Sequence, residues 1–489
     1  MSQVRVRFPP SPTGKLHIGN ARTALFNYLF ARHNKGQMVF RIEDTDFARS
    51  KDEFVQNEID AMKWLGLQWD EGIGVGGAYG PYKQSERISL YLEAVEKLLK
   101  EGKAYYCFCS PDELELERNL PESDKNAFKY SGKCKTLSTS ETQKKLDLKM
   151  PHTVRFKLPE LEFIEVNDLI RGNMRFPINS LDDFILLRSD GTPTYNLAVM
   201  IDDAQMKISH VIRGEDHLFG NTPRQLLLYQ ALSYDIPFFG HMPMILGSDR
   251  SKLSKRHGAF AVTDYRQMGF FPEALNNYMA LLGWSPGNDI EFMSMDEMIS
   301  LFDISKVQLS PAVFDFDKLK WFNGQHLRKK NSNTIIRSIS ELNSNDEQME
   351  SKYTAQELEQ IFEGLKHYAV LLTDIPEMIS SFDAYQGIHL DNIAHIDSEE
   401  SKKLFTLLID KINKLNDWTT ESIKQLVKLS GKELGIKGRA LFHPLRISLT
   451  NTEEGPDLNV IIYALGREKV LHLLQKALTM IREEVADES

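Results

Sequence analysis

The sequence predicts an α/β unit on a parallel sheet, an α+β insertion within it, and an all-α C-terminal region. Three observations carry this reading. Strand-like and helix-like patterns alternate near the N-terminus, the texture changes between 105 and 190, and beyond Trp321 apolar residues recur at helical spacing. At 489 residues the chain is long enough for about three domains.

Val4 to Phe8 is a short β-branched run that stops at Pro9 and Pro10, as a strand entering a loop should. After Gly19, Ala21 to Asn34 carries Ala24, Leu25, Tyr28 and Leu29 at helical spacing. Met38 to Ile42 predicts a second strand, ended by Glu43, Asp44 and Asp46. Strand, helix and strand in this order make a βαβ unit and hence a parallel sheet. All three cysteines fall within the insertion, amid Lys, Glu and Ser and short strand-like pieces such as Thr153 to Leu158. The α/β texture resumes near Thr194 and Ser209 and continues to about Phe260. In the helical part, Thr354 and Glu357 predict a capping box ahead of Leu358, Ile361, Phe362 and Leu365. Leu404, Leu408, Ile412 and Leu415 form one apolar stripe, and Leu471, Leu474, Leu478 and Ile481 another; both predict core. The polar stretch from Lys329 to Ser351 is expected to be a linker.

Composition excludes several classes. The formal net charge of −10 argues against a simple electrostatic DNA coater, though not against a local basic face for nucleic acid. Three cysteines cannot build a disulfide scaffold, and with no signal-peptide core at the N-terminus the expected location is cytoplasmic. No apolar run is long enough to span a bilayer, so no membrane partner is expected.

Two segments carry chemistry. Arg7 to Asn20, RFPPSPTGKLHIGN, joins a strand to a helix whose N-terminal N–H groups suit a phosphate. Gly14 and Gly19 permit close backbone approach, and His17 stands where it can donate to phosphate oxygens. Ser251 to Gly258, SKLSKRHG, places Lys252 and Lys255 three apart on what reads as a mobile cationic clamp. The run Gly72 to Gly80 follows no convincing strand and reads as a flexible connection, not a second nucleotide site. Trp64, Trp69, Trp284 and Trp321 are expected to pack in cores or between domains.

HIGN with KLSKR resembles the paired signatures of class I aminoacyl-tRNA synthetases. RFPPSPTGKLHIGNARTALFNYLFAR, RIEDTD, GPYKQSER, VIRGEDH and KGRALFHPLRISLT are similar to the bacterial glutamyl branch. The asparagine of HIGN departs from the class-wide histidine, a common change in that branch. The glutaminyl branch ends in β-barrels, which the helical C-terminal texture does not suggest.

The resemblance implies a Rossmann-like catalytic domain in two halves, 1–104 and 191–260. An acceptor-arm-binding insertion spans 105–190, a stem-contact region 261–324 and an anticodon-binding region 325–489. It implies that Arg7, Phe8, Pro9, Pro10 and Ser11 hold glutamate, that Glu43 takes its ammonium, and that Tyr195 and Arg213 line its side-chain pocket. A guanidinium fork suits a γ-carboxylate; the alternative for Arg213 is a structural ion pair with Glu215 or Asp216. ATP, as substrate with Mg²⁺, would lie across His17, Gly19, Asp216 and Lys255, with Lys252 on the same loop. The implied reaction makes glutamyl-adenylate, with bound tRNA required, and passes the acyl group to the terminal ribose of tRNA(Glu) and, in a non-discriminating enzyme, of tRNA(Gln). Such chemistry is positioning and electrostatics and needs no nucleophilic side chain. The family is commonly monomeric.

Cys107, Cys109, Tyr130 and Cys134 form C-x-C…Y-x-x-x-C, on which some relatives carry structural Zn²⁺. Three thiolates suit zinc and tyrosine is an unusual fourth ligand, so free thiols stand as the other reading. By the same resemblance, Arg439, His443 and Arg446 are candidates for the anticodon, with ordinary surface charge as the alternative.

Overall fold

The computed structural model describes residues 3–46, 48–118, 130–251, 253–258, 260–287, 289–342 and 353–487. It divides into two compact units, Met1–Asp264 with Leu275–Phe316, and Tyr265–Ala274 with Asp317–Ser489.

In the first unit, β1 (Arg5–Phe8) and β2 (Gln37–Phe40) pair in parallel, Val6 opposite Met38 and Phe8 opposite Phe40. The connecting helix α1 (Ile18–His33) starts three residues before the expected Ala21. His17 is still extended, and its carbonyl accepts from Ala21 N at 2.9 Å, closing the first turn around buried Ile18. After α2 (Asp52–Trp64), the two-residue strand β3 (Glu71–Gly72) adds to β2, with Gly72 opposite Phe40. The glycine run therefore opens on a strand too short to show as periodicity. Gly72 has φ 135°, and a Cβ there would lie 2.1 Å from the Phe40 carbonyl oxygen, so only glycine fits.

Helix α3 (Ile88–Lys100) leads into β4 (Ala104–Cys107) and α4 (Pro111–Arg118), and α5 (Thr139–Asp147) follows. Strands β4, β5 (Thr153–Phe156) and, later, β8 (Ile185–Leu187) form an antiparallel sheet. Between them, β6 (Phe163–Asp168) pairs antiparallel with β7 (Gly172–Pro177). This pair does not stand apart, because Asp168 of β6 meets Phe239 of a later strand in parallel register.

That later strand is β10 (Phe238–Met242), itself parallel to β9 (His210–Gly214). At the start of β9, Ser209 N donates to the Arg5 carbonyl at 3.0 Å, joining this sheet to β1. Helices α6 (Tyr195–Gln205), α7 (Asp216–Gly220) and α8 (Thr222–Leu232) complete the α/β layer. Parallel pairing of β1 with β2 and of β9 with β10 agrees with the predicted class.

The second unit is helical. Thr354 Oγ1 accepts from Glu357 N and the Glu357 carboxylate returns to Thr354 N, the reciprocal cap expected. Leu358, Ile361, Phe362 and Leu365 are buried behind it. The stripes Leu404–Leu408–Ile412 and Leu474–Leu478–Ile481 are core. The expected linker is corrected in part: Ser332–Leu342 is a helix with Ile335 and Ile339 buried, capped by Asn331 accepting from Thr334 N at 2.8 Å. Its polar residues cover one face, while two isoleucines a turn apart fix the other to the core. The remainder of that stretch, 343–351, lies outside the described residues. Trp284 is buried, whereas Trp321 is 48% exposed and is not a core residue. Among the described residues no helix is long and apolar enough to cross a membrane.

Candidate active site

The carbonyl ends of β1, β2 and β9 open onto a cleft of about 680 Å³. Arg7, Phe8, Pro9, Pro10, Ser11, His17, Gly19, Glu43, Tyr195, Arg213 and Asp216, distant in sequence, all line it. Two backbone bonds fasten its floor: Arg41 N donates to Phe8 O at 3.2 Å and Glu43 N to Pro10 O at 2.9 Å. RFPP and RIEDTD are thus neighbours because β1 and β2 are parallel in register.

Beneath the cleft lies a buried ionic lattice. Arg7 Nε donates to both oxygens of Asp203 at 3.2 Å, and Arg41 donates to Asp203 at 2.8 Å and to Glu43 at 3.0 Å. The neighbouring Asp202 takes Arg87 at 2.6 Å and the Tyr91 hydroxyl. The Arg7 and Arg41 cations keep Asp203 below the usual carboxylate range against its burial. Burial pushes the Glu43 carboxyl up to about 7 despite the pull of Arg41.

Arg213 is buried and has a different environment. It donates to neutral acceptors, Thr222 Oγ1 and Gln225 Oε1 at 2.8 Å and His241 Nε2 at 3.3 Å. Among the described residues it makes no ion pair: Glu215 is engaged by Arg171, and Asp216 is exposed. The alternative of a structural ion pair to either acid is therefore not realised. Among the described residues, buried Arg213 Nη1 has no partner, and neither does Arg7 Nη1. Burial lowers the Arg213 pKa. Tyr195 stacks on His217 at 5.6 Å between ring centres, and burial raises its hydroxyl pKa to about 12, so it remains a donor.

At the other end, exposed His17 stands at the start of α1 with its side chain uncommitted to capping. Leu253 and Ser254 of the KLSKR segment line the same cleft. Lys252 lies outside the described residues. Lys255 opens the short 3₁₀ turn Lys255–His257. Asp249 braces this loop, accepting from Arg256 at 2.9 Å and from Ser251 N at 2.8 Å.

Sequence reasoning missed Asp202 and Asp203, although two acids closing the apolar run LAVMI were a visible signal of buried charge. It also missed Asp168 and His241, which no local pattern marks.

The three thiols and the tyrosine come together. Cys109 Sγ is 3.6 Å from Cys134 Sγ and 3.6 Å from Tyr130 Oη, and Cys107 Sγ donates to Tyr130 Oη at 3.3 Å. Tetrahedral zinc with Zn–S of about 2.3 Å requires S–S separations of about 3.8 Å, so the three thiols fit that ion in softness and spacing, with the harder Tyr130 hydroxyl as the fourth donor within reach.

The anticodon candidates part company. Arg439 and His443 both lie 3.6 Å from Glu453. Arg446 instead donates to Pro456 O at 2.8 Å and lines a separate cavity of about 410 Å³ with Tyr385 and Thr450. Its Nη1 is buried without a partner among the described residues.

Comparison with known proteins agrees with this arrangement. Residues 3–321 match the family model for class I tRNA synthetases (E and Q), catalytic domain, and residues 331–478 match the anticodon binding domain. A glutamate–tRNA ligase of Carboxydothermus hydrogenoformans is 45% identical over 95% of this chain and 97% of its own length. Another, from Heliobacterium modesticaldum, is 44% identical over 98% of this chain and 97% of its own. A crystal structure of a glutamate tRNA ligase from Elizabethkingia meningosepticum, in complex with its amino acid, superposes with a TM-score of 0.88 at 36% identity, covering 98% of this chain and all of that one. The fold and cleft define a class I aminoacyl-tRNA synthetase. Within that class, the chain belongs to the glutamate–tRNA ligases.

Proposed function

We propose that the cleft performs both half-reactions of glutamate–tRNA ligation, with the residue roles expected from the sequence. The observation that carries the substrate assignment is Arg213, a buried guanidinium with neutral partners and one nitrogen, Nη1, that has no partner among the described residues. A γ-carboxylate supplies the missing anion and a γ-amide does not. Glu43, ionised once an ammonium is beside it, takes the α-amino group. Arg7, anchored from behind by Asp203, presents its unpartnered Nη1 to the α-carboxylate.

ATP lies from Asp216 to the start of α1, where the helix N-terminus and His17 face the phosphates, and the KLSKR motif assigns Lys255 to neutralise them. Mg²⁺ brought in with ATP would neutralise charge on the phosphates, and Asp216 and Glu43 are the carboxylates of the cleft lining available to it. The α-carboxylate attacks the α-phosphorus in line and pyrophosphate leaves. The terminal ribose hydroxyl of tRNA then attacks the acyl carbon and AMP leaves. Proximity and charge stabilisation suffice for both steps.

We further propose zinc on Cys107, Cys109, Tyr130 and Cys134, where it would fix the insertion that receives the acceptor arm. Arg446 and its cavity are the anticodon contact. Arg439 and His443, already opposite Glu453, are the weaker candidates. The enzyme is taken to be a cytoplasmic monomer. The deciding test is attachment of labelled glutamate to purified tRNA(Glu) and tRNA(Gln) with ATP and Mg²⁺. Charging of tRNA(Glu) alone is the discriminating enzyme, and charging of both is the non-discriminating one. Charging of neither overturns the assignment.

A further inference from the structure

Behind the glutamate pocket, three buried groups from different parts of the chain stand in line. Asp168 ends β6 of the insertion, His241 lies on β10, and Arg213 on β9. Asp168 and His241 are both buried, and neither touches the cleft. Asp168 Oδ1 accepts three backbone N–H groups, from Ile170 and Arg171 at 2.9 Å and from His241 at 3.2 Å. Its other oxygen, Oδ2, meets His241 Nδ1 at 2.5 Å. His241 Nε2 faces Arg213 Nε–H at 3.3 Å and Thr222 Oγ1 at 2.9 Å.

A guanidinium nitrogen only donates, so the Arg213 contact assigns His241 Nε2 as an acceptor, and the Thr222 hydroxyl then turns its proton to Nε2 at 2.9 Å and away from His217 O at 3.2 Å. The proton of the neutral ring is then on Nδ1, which a carboxylate oxygen at Oδ2 requires. An imidazolium would turn a second N–H against the Arg213 cation. We propose that Asp168 and His241 are positioning residues for glutamate recognition: Asp168 fixes the Nδ1–H tautomer of His241, and the imidazole then holds the plane of the Arg213 fork. This deepens the proposed function and rests on Arg213 as the γ-carboxylate receptor.

The test is Asp168→Asn in the full chain. Three backbone donors keep an oxygen at the Oδ1 position, so the new amide nitrogen must replace Oδ2 and donate to Nδ1. The ring proton moves to Nε2, donor faces donor, and Arg213 loses its third anchor. ¹⁵N-histidine spectra report the tautomer directly, with His241 identified by the signal lost in His241→Asn. Wild type is expected to show Nδ1–H and Asp168→Asn to show Nε2–H. KM for glutamate in tRNA(Glu) charging should rise about 10- to 100-fold, by analogy with the loss when a metal-binding histidine is deprived of its supporting partner. KM for ATP should hold.

His241→Asn, whose amide keeps the donor to Asp168 and deletes the acceptor, should raise KM for glutamate by the same order. It also decides the matter if Asp168→Asn fails to fold, as judged by circular dichroism. A wild-type Nε2–H tautomer overturns the proposal, and so does an unchanged KM for glutamate in a folded variant. Arg213→Lys separates the two levels. If it leaves KM for glutamate unchanged, the pocket assignment itself falls; if it raises KM while Asp168→Asn and His241→Asn do not, only the positioning role falls.

Discussion

Replacing Arg213 by Gln removes one buried positive charge while keeping an amide for Thr222 and Gln225. In the wild type, Arg213 is held at three points by neutral acceptors and has one nitrogen, Nη1, with no partner among the described residues. A carboxylate received there gains charge-assisted hydrogen bonds, each worth about 1.5–3 kcal/mol. One such bond, at the single unpartnered nitrogen Nη1, corresponds at 1.36 kcal/mol per decade to about 10- to 150-fold in kcat/KM for glutamate. The loss should appear chiefly against glutamate. Glutamine offers no charge to lose, so the glutamate-to-glutamine preference should narrow by a similar factor. The assay is tRNA(Glu) charging at varied glutamate and at varied glutamine, with circular dichroism as the check on folding. A folded Arg213→Gln enzyme whose kcat/KM for glutamate falls less than about threefold would refute this account of specificity.

Four other outcomes are expected. Lys255→Ala should abolish adenylate formation, measured as tRNA-dependent ATP–pyrophosphate exchange, and leave tRNA binding nearly intact; collapse of tRNA binding would contradict the loop's role. Because burial raises the Glu43 carboxyl to about 7, the empty site is protonated below that pH and ionised above it. The substrate ammonium needs the ionised form, so KM for glutamate should rise as pH falls, by about tenfold between pH 8 and pH 6. Glu43→Gln should flatten that profile, and a flat wild-type profile would exclude Glu43 as the ammonium partner. Gly72→Ala, with φ 135° and a Cβ 2.1 Å from the Phe40 carbonyl oxygen, should destabilise the first unit by about 2–4 kcal/mol. A melting curve that does not move would sink that reading. Stripping zinc with a chelator should release one equivalent of metal, lower the melting temperature and weaken tRNA binding while sparing ATP binding; metal-free enzyme as purified would favour free thiols.

What was legible follows the range of the forces involved. Strand, helix and cap signals are local, so β1, α1, β2 and the Thr354 box could be read from a few residues each. The cleft was legible through the resemblance carried by RFPP, RIEDTD and VIRGEDH, which lie at three strand ends that parallel pairing brings to one edge. The helix Ser332–Leu342 was misjudged because a dense polar face hid two isoleucines a turn apart. The core alternative for Trp321 fails because side-chain size alone does not specify burial. Asp168 could not have been found at all. Its meaning depends on the parallel register of β6 against β10, a pairing between residues about seventy positions apart that no periodicity announces.

The buried charges show why this cleft needs so long a chain. An arginine that grips a carboxylate must be desolvated to be selective, and a desolvated cation must be held by something other than the substrate. The protein does this in two ways. Arg7 is held by an anion, Asp203, which also holds Arg41 and through it Glu43, so one acid orients two ligand-facing groups of opposite sign. Arg213 is held by neutral acceptors, which fix its geometry without satisfying its charge. The difference matters for specificity. An arginine already neutralised by a protein carboxylate gains little from a substrate carboxylate over an amide, whereas one left electrically unsatisfied gains the whole interaction. Introducing an acid beside Arg213, as in Gln225→Glu, should therefore erode the preference for glutamate over glutamine without disturbing the fold. An unchanged preference in that folded variant would mean that pocket shape, and not charge, selects the substrate.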